Sequence, residues 1–184
     1  MHSEPSPRDP RPLDVAPLEA THDVDWFDCG LGLFNTYLTR HALAEQSSAK
    51  IRTYVLIEGR RVIAYYSVGA GVVEAALSRD RIDHRQRRQV IPVVVLMRIA
   101  VDCSRQRHGI GGALLEQAEA RGACGAGVIC ARAVVATAIS REARSFLLKH
   151  GYEPLPGDRY RLCLPLQPWS GGATGFDPSA PTAV

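Results

Sequence analysis

The stretch from Arg98 to Arg121 constrains this chain most. It reads as the end of a strand, a basic glycine loop and the start of a helix. Gln106, Gly109 and Gly111 follow a Q-x-x-G-x-G spacing, and Gly112 adds a third glycine. Such a loop leaves backbone N–H groups uncovered at the positive end of a helix dipole, an arrangement suited to a pyrophosphate. Arg105, Arg107 and His108 bring further positive or titratable charge. No Gly-Lys-Ser/Thr follows, which excludes a P-loop. The glycines fall late in the chain and in the wrong order for a dinucleotide fingerprint.

The segment before the loop, Val90–Val101, is VIPVVVLMRIAV. Continuous apolar character predicts a central strand covered on both faces, with Pro92 at its start, where a missing N–H does least harm. Upstream, Leu13–Leu18 predicts a short strand. Asp28 is placed to cap a helix whose apolar face is Leu31, Phe34, Leu38 and Leu43, with Tyr37 beside it. Ile51–Ile57 and Arg61–Val73 read as a hairpin over Glu58-Gly59-Arg60, with Gly69 and Gly71 marking a bend or bulge. Ala75–Arg88 reads as a loop. Downstream of the glycine loop, Leu114, Leu115 and Ala118 form a helix face. Gly122–Gly127 reads as a turn and Val128–Ala136 as a strand. Ser140 caps a helix over Arg141–His150 that ends at Gly151. Tyr152–Leu155 and Arg159–Leu166 suggest a last hairpin.

At 184 residues the chain suits one domain. Residues 1–10 and 168–184 are polar or Gly/Pro-rich and are expected to be disordered, leaving 11–167 as the domain. The N-terminus lacks the apolar core of a secretory signal and no apolar run reaches membrane-spanning length, which predicts a cytoplasmic protein. Five cysteines without a C-x-x-C pair predict neither a metal site nor a disulfide framework. The net charge is +3, yet residues 79–88 hold five arginines against two aspartates. Arg forks onto phosphate oxygens, so this segment is a candidate phosphate-binding patch against the alternative of a solvated loop.

Taken together, IAVDCSRQRHGIGGALL resembles the acetyl-CoA-binding segment of the GNAT acetyltransferases, and FLLKHGY resembles their penultimate helix and following strand. The pieces DWFDCGLGLFNTYLTRHA, RTYVL and VIAYYSV are similar to the TacT-like tRNA-acetylating toxins of type II toxin–antitoxin systems. The resemblance covers residues 13–166. It implies an α/β GNAT fold: a mixed, mostly antiparallel twisted sheet with splayed central strands and flanking helices. It also implies an acetyl-CoA-dependent N-acetyltransferase. Ile99, Ala100 and Val101 would pair with the pantetheine arm. Gln106, Arg107, His108, Gly109, Ile110, Gly111 and Gly112 would surround the pyrophosphate. Family members often carry Gly where Arg107 stands.

The resemblance further implies transfer of the acetyl group to the α-amino group of aminoacyl-tRNA, which blocks translation. Arg79, Arg85, Arg87, Arg88 and Arg98 are then tRNA-binding candidates. Implied partners are a ribbon-helix-helix antitoxin, operator DNA through that antitoxin, and a second copy of the chain in a homodimer. No metal and no membrane is implied. The group usually places a proton-donating Tyr in a Phe-Tyr pair on the penultimate helix; here the pair is Phe146-Leu147. Tyr152, Ser145 or a water are the substitutes, and Glu74, Asp102 and Glu142 are acidic candidates. Tyr65 and Tyr66 alternate across their strand, so one of them is a candidate lining for the acceptor pocket. Two alternatives remain: a GNAT enzyme for a small amine or protein amine, and a cofactor-binding member with weak activity.

Overall fold

The computed structural model describes residues 14–48, 51–74, 90–129 and 131–166. The termini expected to be disordered, and Arg79, Arg85, Arg87 and Arg88, lie outside the described residues. The strands are β1 (Val15–Pro17), β2 (Ile51–Glu58), β3 (Arg61–Glu74), β4 (Val90–Val101), β5 (Ala133–Thr137), β6 (Glu153–Leu155) and β7 (Asp158–Pro165). They form one sheet in the order β1-β2-β3-β4-β5-β7-β6. Every neighbouring pair is antiparallel except β4–β5, which is parallel.

The apolar run from Val90 is the middle strand, as its two-sided hydrophobicity predicts. Its alternation is reset once. Ser67 of β3 pairs with Arg98, but Val68 pairs with Leu96, so Met97 is an extra, bulged residue. Before the bulge, Val94 and Leu96 face one core cluster; after it, Ile99 and Val101 pack against that same cluster. Ala100 turns to the opposite cluster with Tyr37, Leu38 and Tyr65. One inserted residue therefore keeps both faces apolar along a strand that would otherwise swap sides.

The β2–β3 hairpin turns over Gly59-Arg60, with Gly59 at φ +63°. The bulge predicted near Gly69 and Gly71 lies at Ser67/Val68 instead. Gly71 serves close approach: a Cβ there would lie 2.5 Å from Val95 Cγ2.

Helix α3 (Ile110–Ile129) packs Leu114, Leu115 and Ala118 on the sheet. It runs through the predicted turn at Gly122–Gly127, and the predicted strand from Val128 begins only at Ala133. Gly122 is not a breaker here. A Cβ on it would stand 3.3 Å from Val134 Cγ2, so the residue lets helix and sheet approach closely. Helix α4 (Arg141–Lys149) starts where predicted, the Ala143 N–H donating to Ser140 Oγ at 3.1 Å. Gly151, at φ +84°, follows its end.

The N-terminal helix departs most from expectation. It is α1 (Gly32–Thr36), a π-helical turn (Tyr37–His41) and α2 (Ala42–Ser47). Leu31, not Asp28, is the N-cap; the Asp28 carboxylate accepts from the Gly30 N–H and Asn35 Nδ2. The wider turn rotates the apolar stripe, so Tyr37, Leu38 and Ala42 are buried while Leu31 and Leu43 are exposed.

Candidate active site

The site begins where the sheet opens. Strands β4 and β5 pair from Val94–Val134 to Leu96–Ala136 and then part. Strand β4 continues to Val101 along β3, so Ile99–Val101 have no strand partner on the β5 side. Beyond β5, the Ala138 N–H is already committed to Tyr160 O on β7.

The glycine loop follows that edge directly. Cys103–Arg105 form a short 3₁₀ turn capped by Asp102. Asp102, 3% exposed, accepts from the N–H groups of Asp28 and Ser104, from Ser104 Oγ at 2.6 Å and from Arg61 Nη2 at 3.4 Å. Burial acts to raise its pKa, but the Ser104 hydroxyl, the two N–H donors and Arg61 outweigh that and hold it below the usual carboxylate range. It is thus a cap and a tie, not a surface charge. The Gln106 amide donates to Val101 O at 3.0 Å and to Cys29 O at 3.2 Å. That side chain braces the loop against β4 rather than pointing at a ligand. Arg105 forks onto Glu58, at 2.9 and 2.6 Å.

Arg107, at φ +64°, is the one non-glycine residue in the left-handed region among the described residues. This is the position the resemblance associates with Gly. Gly109 follows at φ +79°. The His108 ring donates from Nδ1 to Gln106 O at 2.7 Å, because a carbonyl can only accept. Among the described residues nothing accepts from the backbone N–H groups of Arg107, His108, Gly109, Ile110, Gly111 or Gly112; the first helical N–H to find a carbonyl is that of Ala113, on Gly109 O. Six free donors at the head of a helix fit an anionic phosphate group.

Helix α4 walls the other side. A Cβ on Gly111 would lie 3.8 Å from the Phe146 ring, and one on Gly112 would lie 3.0 Å from His150 Nε2. The Phe146 and His150 rings pack at 4.5 Å between centroids, tilted by 49°, and His150 Nδ1 donates to Phe146 O. In the sequence Phe146 stands out only as the neighbour of Leu147 and His150 only as the helix end, although their i, i+4 spacing places them on one helix face. The proton-donor candidates fare differently. Leu147 is 4% exposed and belongs to the core. Ser145 lies on the exposed side of α4. Tyr152 is buried, its hydroxyl sealed from solvent without a hydrogen-bond partner. Burial and then the neighbouring Glu119 push its ionisation far up. Burial also raises the Glu119 carboxyl.

On the opposite face of the sheet, the Arg98 guanidinium carbon lies 3.6 Å from the centroid of the Tyr37 ring. Beneath it run hydroxyls from Tyr37 to Thr53 (3.4 Å) and from Thr53 to Ser67 (2.9 Å). Of the tRNA-binding candidates, Arg98 alone lies among the described residues. Neither Tyr65 nor Tyr66 lines an open pocket. Both are fully buried, Tyr65 donating to Phe34 O and Tyr66 stacked on Tyr54. Burial drives the Tyr66 hydroxyl up to about 12. Both occupy the core because β3 is covered on each face.

The open strand edge and the free N–H cradle suit the arm and pyrophosphate that the GNAT resemblance implies, and the sequence pattern of the Acetyltransferase (GNAT) domain family matches residues 49–154. The chain belongs to the GNAT acetyltransferase family. It is 33% identical over 142 residues to a tRNA-acetylating toxin of Mycobacterium tuberculosis (strain ATCC 25618 / H37Rv), covering 77% of this chain and 85% of that protein. Among solved structures it is similar to AtaT complexed with acetyl-methionyl-tRNAfMet, at TM-score 0.75 and 26% identity over 82% of this chain and 93% of that one. It is also similar to a mutant AtaT toxin bound to the C-terminus of the antitoxin AtaR and acetyl-CoA, at TM-score 0.72 and 26% identity over 84% and 94%. Among the described residues no helix is long and apolar enough to cross a membrane.

Proposed function

We propose that this GNAT acetyltransferase is the toxin of a type II toxin–antitoxin system that acetylates the α-amino group of aminoacyl-tRNA and so blocks translation. The observation that carries the acetyl-CoA half is the continuity of the open Ile99–Val101 edge with the free N–H groups of Arg107–Gly112. The acceptor half rests on the similarity to the M. tuberculosis toxin over 85% of its length.

Acetyl-CoA supplies an activated acyl group. Arg107–Gly112 bind its phosphates, and the β4 edge aligns its arm as an added strand would align. The amine must be uncharged to attack. An ester lowers the basicity of the adjacent α-amino group, so a sufficient neutral fraction exists near pH 7 without a strong protein base. Leu147 has no proton to give and Tyr152 is shut in beside Glu119. Ser145, or a water in the sheet opening, is left to protonate the departing thiolate. The same reading makes the protein a cytoplasmic homodimer partnered by a ribbon-helix-helix antitoxin.

The burial of Leu147 favours a second reading, a cofactor-binding member with weak activity. Incubation with labelled acetyl-CoA and a mixture of charged tRNAs, followed by mild alkaline release, decides between them. Labelled N-acetyl amino acid is the expected product. Saturable acetyl-CoA binding without labelled product on charged tRNA or on any small or protein amine would favour the second reading.

A further inference from the structure

Arg98 carries a charge for which the described residues supply no counterion. Its Nη1 is sealed from solvent and has no hydrogen-bond partner. Among the described residues no carboxylate or carbonyl accepts from any of its nitrogens, although the side chain as a whole is partly exposed. The groups around it are neutral: Tyr37 stacked on it, Ser67 paired with it across the β3–β4 ladder, and the buried Tyr65. Taking even one edge of a guanidinium out of water without a partner is costly, and stacking on an aromatic ring returns only part of that cost. Such a group is held ready for an anion that the described residues do not supply.

The placement narrows which anion. Arg98 follows the Met97 bulge, two residues past the last β4–β5 pair at Leu96–Ala136, and so stands at the mouth of the opening. The bulge sends it to the same face as Ala100 and Tyr37. The N–H cradle heads α3, whose Leu114 and Leu115 pack on the other face with Ile99 and Val101. Arg98 is therefore turned away from the phosphates of the acetyl donor and towards the side from which an acceptor must enter. Resting on the aminoacyl-tRNA reading above, we propose that Arg98 is a positioning residue that grips the phosphodiester nearest the aminoacyl ester. Tyr37 fixes the plane of its fork. The contact sets the distance from the α-amino group to the acetyl carbon. Phosphates are the anions that an aminoacyl-tRNA end offers, and the planar fork matches their oxygens.

The test compares two minimal acceptors, an aminoacyl-adenosine without phosphate and an aminoacyl-CpA dinucleotide with one. In the unaltered protein the phosphate should raise kcat/KM at least tenfold. In Arg98→Met that advantage should vanish, and Arg98→Lys, which keeps charge but loses fork and stack, should retain only part of it. Tyr37→Leu should weaken it in the same way. Acetyl-CoA affinity, measured separately, should stay within about twofold in a folded variant. Equal losses on both acceptors would overturn the proposal, because a merely structural residue does not discriminate between them. If the unaltered protein binds acetyl-CoA but acetylates neither acceptor nor charged tRNA, the aminoacyl reading itself falls and takes the assignment with it.

Discussion

Arg107 is the residue at which local geometry and chemistry disagree most plainly. An L-residue in the left-handed region costs roughly 1–2 kcal/mol, which glycine would avoid. Arg107 adopts φ +64° in the middle of the free N–H cradle. On the function proposed above, the charge Arg107 would deliver to the donor's phosphates offsets that penalty. Arg107→Gly is expected to leave stability unchanged or raise it by up to about 1 kcal/mol in chemical denaturation. The same change should weaken acetyl-CoA binding several-fold and flatten its salt dependence, as titration calorimetry at two ionic strengths would show. The sequence marked this position as a departure from the Gly of its relatives, but φ is not written in a residue name.

At the scale of elements, Asp102 ties three of them together: the Asp28 segment, the 3₁₀ turn before α3, and Arg61 at the start of β3. Its folded pKa lies below the ordinary value of 3.8. Its stabilising contribution is therefore complete above that value and is lost as pH falls through it towards the folded pKa. Asp102→Asn should cost about 2–3 kcal/mol near neutrality, since charge-assisted bonds are lost from a buried acceptor. The gap to the unaltered protein should close as pH drops below about 4, which denaturation at a series of pH values measures. The hairpin over Gly59, the middle strand and helix α4 were legible because each has a local signature: turn residues, an apolar run, a cap. The π-turn at Tyr37–His41 and the run of α3 through Gly122 were not. Both depend on what lies opposite in the folded molecule, a sheet face in one case and Val134 in the other. A single bulged residue such as Met97 is equally silent until its partner strand is known.

For the whole molecule, the glycine loop was legible in the sequence as a loop at a helix head, whereas the separation of Arg98 from it had to wait for the sheet. Arg98 entered the sequence reading as one arginine of a patch. Only the parity change at Met97 separates it from the cradle and sets the two charged features on opposite faces. The parting of β4 and β5 has a thermodynamic counterpart. Among the described residues the two halves of the sheet are laced together from the Arg132 N–H on Pro92 O through the pairs Val94–Val134 to Leu96–Ala136, and beyond the Leu96–Ala136 end of this seam the ladder is unfinished. A donor that lies along Ile99–Val101 supplies the missing rungs, so its binding belongs to the folding equilibrium as well as to catalysis. At a hundredfold excess over its dissociation constant, acetyl-CoA should add about 2.7 kcal/mol. That corresponds to a rise of roughly 5–10 °C in Tm for a chain of this size, with slowed amide exchange on both sides of the seam in the same titration. Free coenzyme A carries the same arm and phosphates, so on this reading the total supply of coenzyme would act as a stability setting for the protein.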